Sequence, residues 1–258
     1  MKPNQIKRIL NEGGTALGAG ALSFSPSVVE VFADAGLDFV WLDLEHSGYS
    51  PYDYEHMTGI VRAADAYGIS TLVRVPENSE SMIAKVLDAG VHAVLVPGVT
   101  SVEAATRAVG AAKYFPPDRT GNRGAALSRF VGFKGLSEVA ARQADAETMV
   151  GIMIEDRLTV DNLEAIASVK GLDFGFMGPQ DLSISLGLSF QPKHQKVQEY
   201  FERAIQTCRS RGLALGHAVA DAEGAKKAMS QGFRILRIGQ DLQILNKEIQ
   251  DLLGKIRA

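Results

Sequence analysis

Cysteine is nearly missing from this chain: Cys208 is the single one in 258 residues. That excludes an intrachain disulfide framework and a cysteine-based zinc site, and a reducing, cytoplasmic setting is expected. Long apolar runs are missing too. No stretch approaches the ~20 residues needed to cross a bilayer, so no membrane association is expected. Met1–Leu10 is polar, carries Lys2, Lys7 and Arg8, and has no apolar run behind it, so no secretory leader is expected. Charge of one sign is not in excess, since 27 Lys and Arg face 30 Asp and Glu for a net charge of −3. Without a basic stripe, nucleic acid is not an expected partner. Low-complexity tracts and clear linkers are also lacking, and one domain over residues 1–258 is the expectation.

What the chain has instead is alternation. Short β-branched or apolar runs fall at Thr15–Leu22, Phe39–Leu42, Ser70–Val75, Ala93–Val96, Met149–Ile154, Phe174–Met177, Ala214–Val219 and Ile235–Ile238. Segments of helical period follow most of them: Pro26–Ala35, Tyr52–Tyr67, Ser79–Ala89, Ser101–Lys113, Asp161–Val169, Gln195–Arg211, Asp221–Gln231 and Asp241–Ile256. This order argues for parallel strands joined by crossover helices. Several helices end in pairs such as Ala35-Gly36, Ala89-Gly90 and Arg211-Gly212, where glycine tolerates the left-handed closing residue. The length of 258 residues is close to the roughly 250 of an α/β barrel. The expected fold is α/β, a single-domain (β/α)8 TIM barrel with a short N-terminal helix. Gly18-Ala19-Gly20-Ala21 lacks the third glycine of a dinucleotide fingerprint and is rejected as one. Tyr114–Leu136 is a long connection rich in Gly, Pro and Arg, and such connections are often functional.

Catalytic residues of an α/β barrel gather at the C-terminal ends of its strands. Those positions hold Asp43-Leu44-Glu45-His46, Arg74, Glu155-Asp156, Gly178-Pro179-Gln180-Asp181 and His217. Glu155 and Asp181 follow strongly apolar strands, where a carboxylate without a partner is costly. As a pair on neighbouring strand ends they suit a hard divalent ion such as Mg2+ or Mn2+. The alternative is that each caps the helix behind it, which suits Asp181 before Leu182-Ser183. His46 is a candidate general base, against the commoner reading of a surface histidine. Asp43 and Glu45 are either part of that site or solvated loop charges. His217 is held in reserve, while His56, His92 and His194 are weaker, with His92 at the stability face. Arg74 either binds a carboxylate or oxyanion or forms a structural ion pair across the mouth. Asp88 reads from periodicity as a solvent-exposed helix residue. No strand end holds a lysine, which argues against a Schiff-base route.

Asp43-x-Glu45-His46, Val73-Arg74-Val75-Pro76, Ile154-Glu155 and Gly178-Pro179-x-Asp181-Leu182-Ser183 together resemble the HpcH/HpaI family of class II, metal-dependent pyruvate aldolases. The resemblance runs from about Leu17 to Leu245 and includes the Gly232-Phe233-Arg234…Gly239-x-Asp241 segment. It implies a (β/α)8 barrel assembled as a hexamer, a trimer of dimers that exchange their last helix. It makes Glu155 and Asp181 ligands of Mg2+ or Mn2+, with Co2+ also suitable. It makes His46 the proton acceptor and Arg74 the stabiliser of an enolate, with Asp43 in the same motif. Asp88 would raise the basicity of the histidine, against the bland reading above. Met153 and Gly178-Pro179-Gln180-Asp181 would contact the substrate, Gln180 through its backbone. The implied reaction is reversible cleavage of a 4-hydroxy-2-oxo acid into a small 2-keto acid, pyruvate, and an aldehyde. An acyl-CoA lyase, with Arg119 and Arg123 near the rim, and a non-catalytic keto-acid-binding barrel are the alternatives. Two departures stand out. Met153 replaces the glutamine that precedes the metal glutamate, and Gly18-Ala19-Gly20-Ala21 replaces a tryptophan at the end of the first strand. Both are expected to leave the pocket less polar or larger.

Overall fold

A computed structural model describes residues 2–117, 121–131, 133 and 135–257. The strands are β1 (Ala16–Gly20), β2 (Phe39–Asp43), β3 (Ser70–Arg74), β4 (Ala93–Val96), β5 (Met149–Ile154), β6 (Phe174–Met177), β7 (Ala214–Ala218) and β8 (Ile235–Gln240). They close in sequence order into one barrel, and every neighbouring pair is parallel. The helices are α1 (Gln5–Asn11), α2 (Pro26–Asp34), α3 (Tyr54–Tyr67), α4 (Glu80–Asp88), α5 (Val102–Ala112), α6 (Glu138–Glu147), α7 (Arg157–Asp161), α8 (Leu163–Ile166), α9 (Pro179–Ser185), α10 (Gln195–Arg211), α11 (Ala222–Ser230) and α12 (Asp241–Arg257). The expected (β/α)8 barrel is the observed fold. Among the described residues no helix is long and apolar enough to cross a membrane.

The alternation of a strand sorts each run into two cores. Phe39 and Trp41 of β2, Met149 and Met153 of β5, Phe174 and Phe176 of β6 and Ile235 of β8 fill the barrel. Val40, Leu42, Val150, Ile152, Ile154 and Leu236 face the helices. Continuing the inward count by two brings Asp43, Glu155, Gly178 and Arg237 to the mouth. The ring of Phe174 fills the space opposite Gly151, where any side chain would collide with it. Below, α1 plugs the floor with Ile6, which is fully buried in the inner cluster.

Three elements differ from the sequence expectation. α6 lies in a stretch given no structure. The helix expected over Asp161–Val169 is the short α8, and another short helix, α7, precedes it with Asn162 between them. α9 was not expected, although Pro179 at its first position is a helix-start signal.

Candidate active site

The mouth is organised around Arg74, at the end of β3. Asp43 grips it with both oxygens, Nε donating to Oδ1 at 3.1 Å and Nη2 to Oδ2 at 2.5 Å. Nη1 lies 2.7 Å from Oε2 of Glu45. Asp43 Oδ1 also accepts the backbone N–H groups of Glu45 (3.0 Å) and His46 (3.2 Å), so the same carboxylate shapes the loop after β2. Burial pushes the Asp43 carboxyl up, but the Arg74 hydrogen bond and charge, with the two backbone bonds, hold it below its ordinary value. Glu45 goes the other way: burial raises it, and Arg74 and His46 do not fully offset that. His46 is exposed, its Nε2 standing 3.8 Å from Glu45 Oε2.

Glu155 and Asp181 meet on the opposite side. Both line a cavity of about 440 Å³ with His46 and Asp156. Asp181 and His46 also line an adjoining, inner cavity of about 290 Å³ with Arg74, Met153, Gly178 and Gln180. The capping alternative fails for both carboxylates. Asp156, not Glu155, caps α7, accepting from Leu158 N at 2.7 Å. Asp181 lies inside the first turn of α9, whose cap residue is Gly178, and no side chain caps it. Among the described residues, neither carboxylate has a hydrogen-bond or ion-pair partner. Burial lifts Glu155 to about 7, Glu45 adds to the rise, Arg74 opposes it, and Asp181 and Asp156 add further. Three carboxyl groups, Glu45, Glu155 and Asp181, thus crowd together, and the charge of Arg74 offsets them only in part. A Cβ on Gly178 would lie 2.8 Å from Glu155 Cβ and 3.2 Å from its Oε2, so glycine is what lets the two strand ends approach. The described residues hold no cluster of three or more His, Cys, Asp or Glu suited to a metal. Two carboxylates with open positions fit a hard divalent ion that keeps water and substrate oxygens as its remaining ligands.

Residues 21–247 match the model of the HpcH/HpaI aldolase/citrate lyase family. The chain belongs to that family. It is 32% identical over 255 residues to a 2-keto-3-deoxy-L-rhamnonate aldolase of Klebsiella pneumoniae, covering 99% of this chain and 94% of that protein. It is 31% identical to a hydroxypyruvate/pyruvate aldolase of Pseudomonas aeruginosa, with 99% and 93% covered. The crystal structure of an HpcH/HpaI aldolase from Desulfitobacterium hafniense superposes with a TM-score of 0.87 at 28% identity, over 97% of this chain and 96% of that one.

Not every residue expected for an HpcH/HpaI site is gathered at the mouth. Asp88 ends α4, which runs from the rim to the floor. It pairs with Arg123 Nη2 at 3.3 Å and lines neither of the two cavities that His46 lines. Arg123 is itself buried, stacked on Phe130 (4.0 Å) and Tyr114 (4.7 Å), so it gives no basic rim. Arg119 lies outside the described residues. The His217 ring packs on Phe201 (5.4 Å) and Phe233 (5.3 Å), burial lowers its pKa, and the residue borders the inner cavity.

Three residues at the mouth escaped the sequence reading: Trp41, Arg237 and Gln240. Trp41 lies 4.6 Å from Phe176, centre to centre, in the wall of the inner cavity. A Cβ on Gly20 would stand 3.0 Å from Gln240 Cγ. Gln240 thus stands against Gly20, and Arg237 lines the inner cavity beside Trp41. The inward count from Ile235 would have found Arg237.

Proposed function

We propose that this chain is a metal-dependent pyruvate aldolase that reversibly cleaves a 4-hydroxy-2-oxo acid into pyruvate and an aldehyde. The observation that carries it is the pair Glu155 and Asp181, free of capping duty and opposite an arginine clamped by Asp43 and Glu45. These two carboxylates would hold Mg2+, Mn2+ or Co2+. When bound, the ion supplies Lewis-acid charge beside the 2-keto oxygen and carboxylate of the substrate. Arg74 faces the same oxygen and stabilises negative charge as it develops there. Its fork cannot swing away, because Asp43 fixes two of its nitrogens and Glu45 the third. The first backbone N–H groups of α9, at Gln180 and Asp181, are unused by the helix and suit the keto acid's carboxylate.

His46 takes the proton from the 4-hydroxyl. As that oxygen becomes the aldehyde carbonyl, the C3–C4 bond breaks and its electron pair stays on C3 as the enolate. The aldehyde leaves, and a proton delivered to C3 completes pyruvate. Met153 offers no hydrogen bond to the keto acid, so orientation falls to Arg74 and α9.

A homo-oligomer belongs to this reading. α12 exposes Leu242, Ile244, Leu245, Ile249, Leu252 and Ile256, an apolar face with no cover among the described residues. An Asp88 beside His46 would also have to come from a second copy. The near-absence of cysteine supports a cytoplasmic setting.

Pyruvate release from racemic 4-hydroxy-2-oxo acids tests the proposal, measured with EDTA and after adding Mn2+ or Mg2+. Turnover should require the ion and disappear in Glu155→Ala. Metal-independent turnover, or full activity in that variant, would rule the reading out.

A further inference from the structure

Arg237 is a charge that the aldolase chemistry above does not use. It stands on β8 with inward parity and lines the inner cavity with Arg74, Trp41 and Gly178. Its guanidinium carbon lies 5.2 Å from the centre of the Trp41 ring. The Gln240 amide, turned so that its oxygen faces the fork, accepts from Nη1 at 2.7 Å and Nη2 at 3.2 Å. No carboxylate of the described residues pairs with it. Asp43, the acidic group that favours its charge, is already gripped by Arg74. Burial and the like charge of Arg74 both work against the cation, yet an arginine stays protonated in proteins.

An unmet donor lies in the same wall. Trp41 is 2% exposed, and its indole Nε1 is buried without an acceptor. The charges around the cavity then sort themselves. Asp43 and Glu45 answer Arg74, a divalent ion would answer Glu155 and Asp181, and Arg237 is left over. A partly buried cation without a partner is costly to keep. A fixed, desolvated fork of this kind matches a carboxylate in shape and charge.

We infer that Arg237, lying over Trp41 and held by Gln240, binds a second carboxylate of the substrate, so that the site takes a diacid in preference to an acid with a neutral tail. The inference rests on the aldolase reading and narrows its substrate class. The second carboxylate can belong to the aldehyde half, at the far end of a 4-hydroxy-2-oxo diacid. It can also belong to the keto-acid half, as in a 2-oxo diacid. The chemistry at Arg237 is the same in both cases.

Two arms separate these sources, each with Mg2+ or Mn2+ supplied. The first compares cleavage of 4-hydroxy-2-oxo diacids with that of their terminal amides of equal length. The second compares binding of 2-oxoglutarate and 2-oxopentanoate by titration calorimetry. The wild-type protein should favour the diacid by about 100-fold in one arm, and that arm names the half. Arg237→Met should cut the preference to below about 5-fold, and Arg237→Lys should keep part of it, because the charge stays and the fork is lost. No preference in either arm, or a preference that survives Arg237→Met, overturns the assignment. The wild-type comparison stands without any variant. Equal cleavage of acid and amide, with no binding preference, removes the role of Arg237 and leaves the aldolase. Preferential diacid binding with no cleavage of any substrate removes the aldolase and leaves the anion site.

Discussion

At the floor of the barrel Asn4 and Lys113 are buried and hydrogen-bonded, whereas at the rim Glu155 and Asp181 have no partner among the described residues. Asn4 Nδ2 donates to the carbonyls of His92 (3.0 Å) and Glu147 (2.9 Å), and its Oδ1 accepts from Lys7 N and Ser70 Oγ at 3.2 Å. Lys113 Nζ donates to the carbonyls of Asp145 (2.7 Å) and Thr148 (2.5 Å). The rim instead lets Glu155 rise to about 7 and leaves Arg237 without a carboxylate. The floor also keeps atoms without a hydrogen bond, His92 Nε2, Asp65 Oδ1 and Arg129 Nε, but these stand within ion-pair reach of one another, whereas Glu155 and Asp181 have no such neighbour among the described residues.

The largest effect that tests this contrast is at the rim. Glu155→Gln should lower turnover by at least about 10³-fold, as expected when a charged group of the reacting site is removed. Its thermal midpoint should hold or rise, because the replaced carboxylate had no partner. A variant that unfolds early would make Glu155 a scaffold residue and break the comparison. Next is Arg74→Lys. The ammonium keeps the charge but cannot meet Asp43 and Glu45 as a fork, so kcat should fall about 10²-fold. Steady-state kinetics that show only a KM change would mean that Arg74 binds substrate without stabilising the charge that develops.

The strands were legible because each is a short apolar run, and most follow a helix that ends on a glycine. Asp43, Glu45, His46, Glu155 and Asp181 were legible because they follow such runs, and Arg74 because Val73-Arg74-Val75-Pro76 is one of the motifs that carry the family resemblance. Arg237 and Trp41 were not, because they sit inside strands, where only the inward count of alternate residues separates a cavity wall from a core. β8 was also expected to stop at Ile238, which left out Gln240. Asp88 shows the other limit. Periodicity placed it on a helix, and neither that nor the fold of one chain brings it to His46. Met153 and Gly20 stand out in the sequence, but what surrounds them depends on Trp41 and Gln240, from β2 and β8, and only tertiary structure assembles that.

At the floor the effects should be on stability. Lys113→Met leaves the Asp145 and Thr148 carbonyls without their donor and should cost about 3 kcal/mol by denaturant unfolding. Its kcat on the folded protein should match the wild type. A loss of turnover without a loss of stability would mean that the floor communicates with the rim.

The smallest predicted effect concerns His92, 1% exposed beneath the barrel. Its Nδ1 lies 3.2 Å from both Thr71 N and Thr71 Oγ1. Burial lowers its pKa, more than Asp65 and Glu147 raise it. The folded chain therefore carries less of this proton than the unfolded chain, whose histidine titrates near the ordinary value of about 6.5. The stabilising contribution is full above that value and is lost as pH falls through it toward the lower, folded pKa. The slope cannot exceed about 1.4 kcal/mol per pH unit for one group. Unfolding free energies at pH 7.5 and 5.5 should thus differ by up to roughly 1 kcal/mol more in the wild type than in His92→Asn, whose amide can still meet Thr71. Equal differences in the two proteins would mean that His92 is neutral or charged alike in both states. The floor would then hold a titrating group as loosely as the rim does, and the two ends would no longer be distinct.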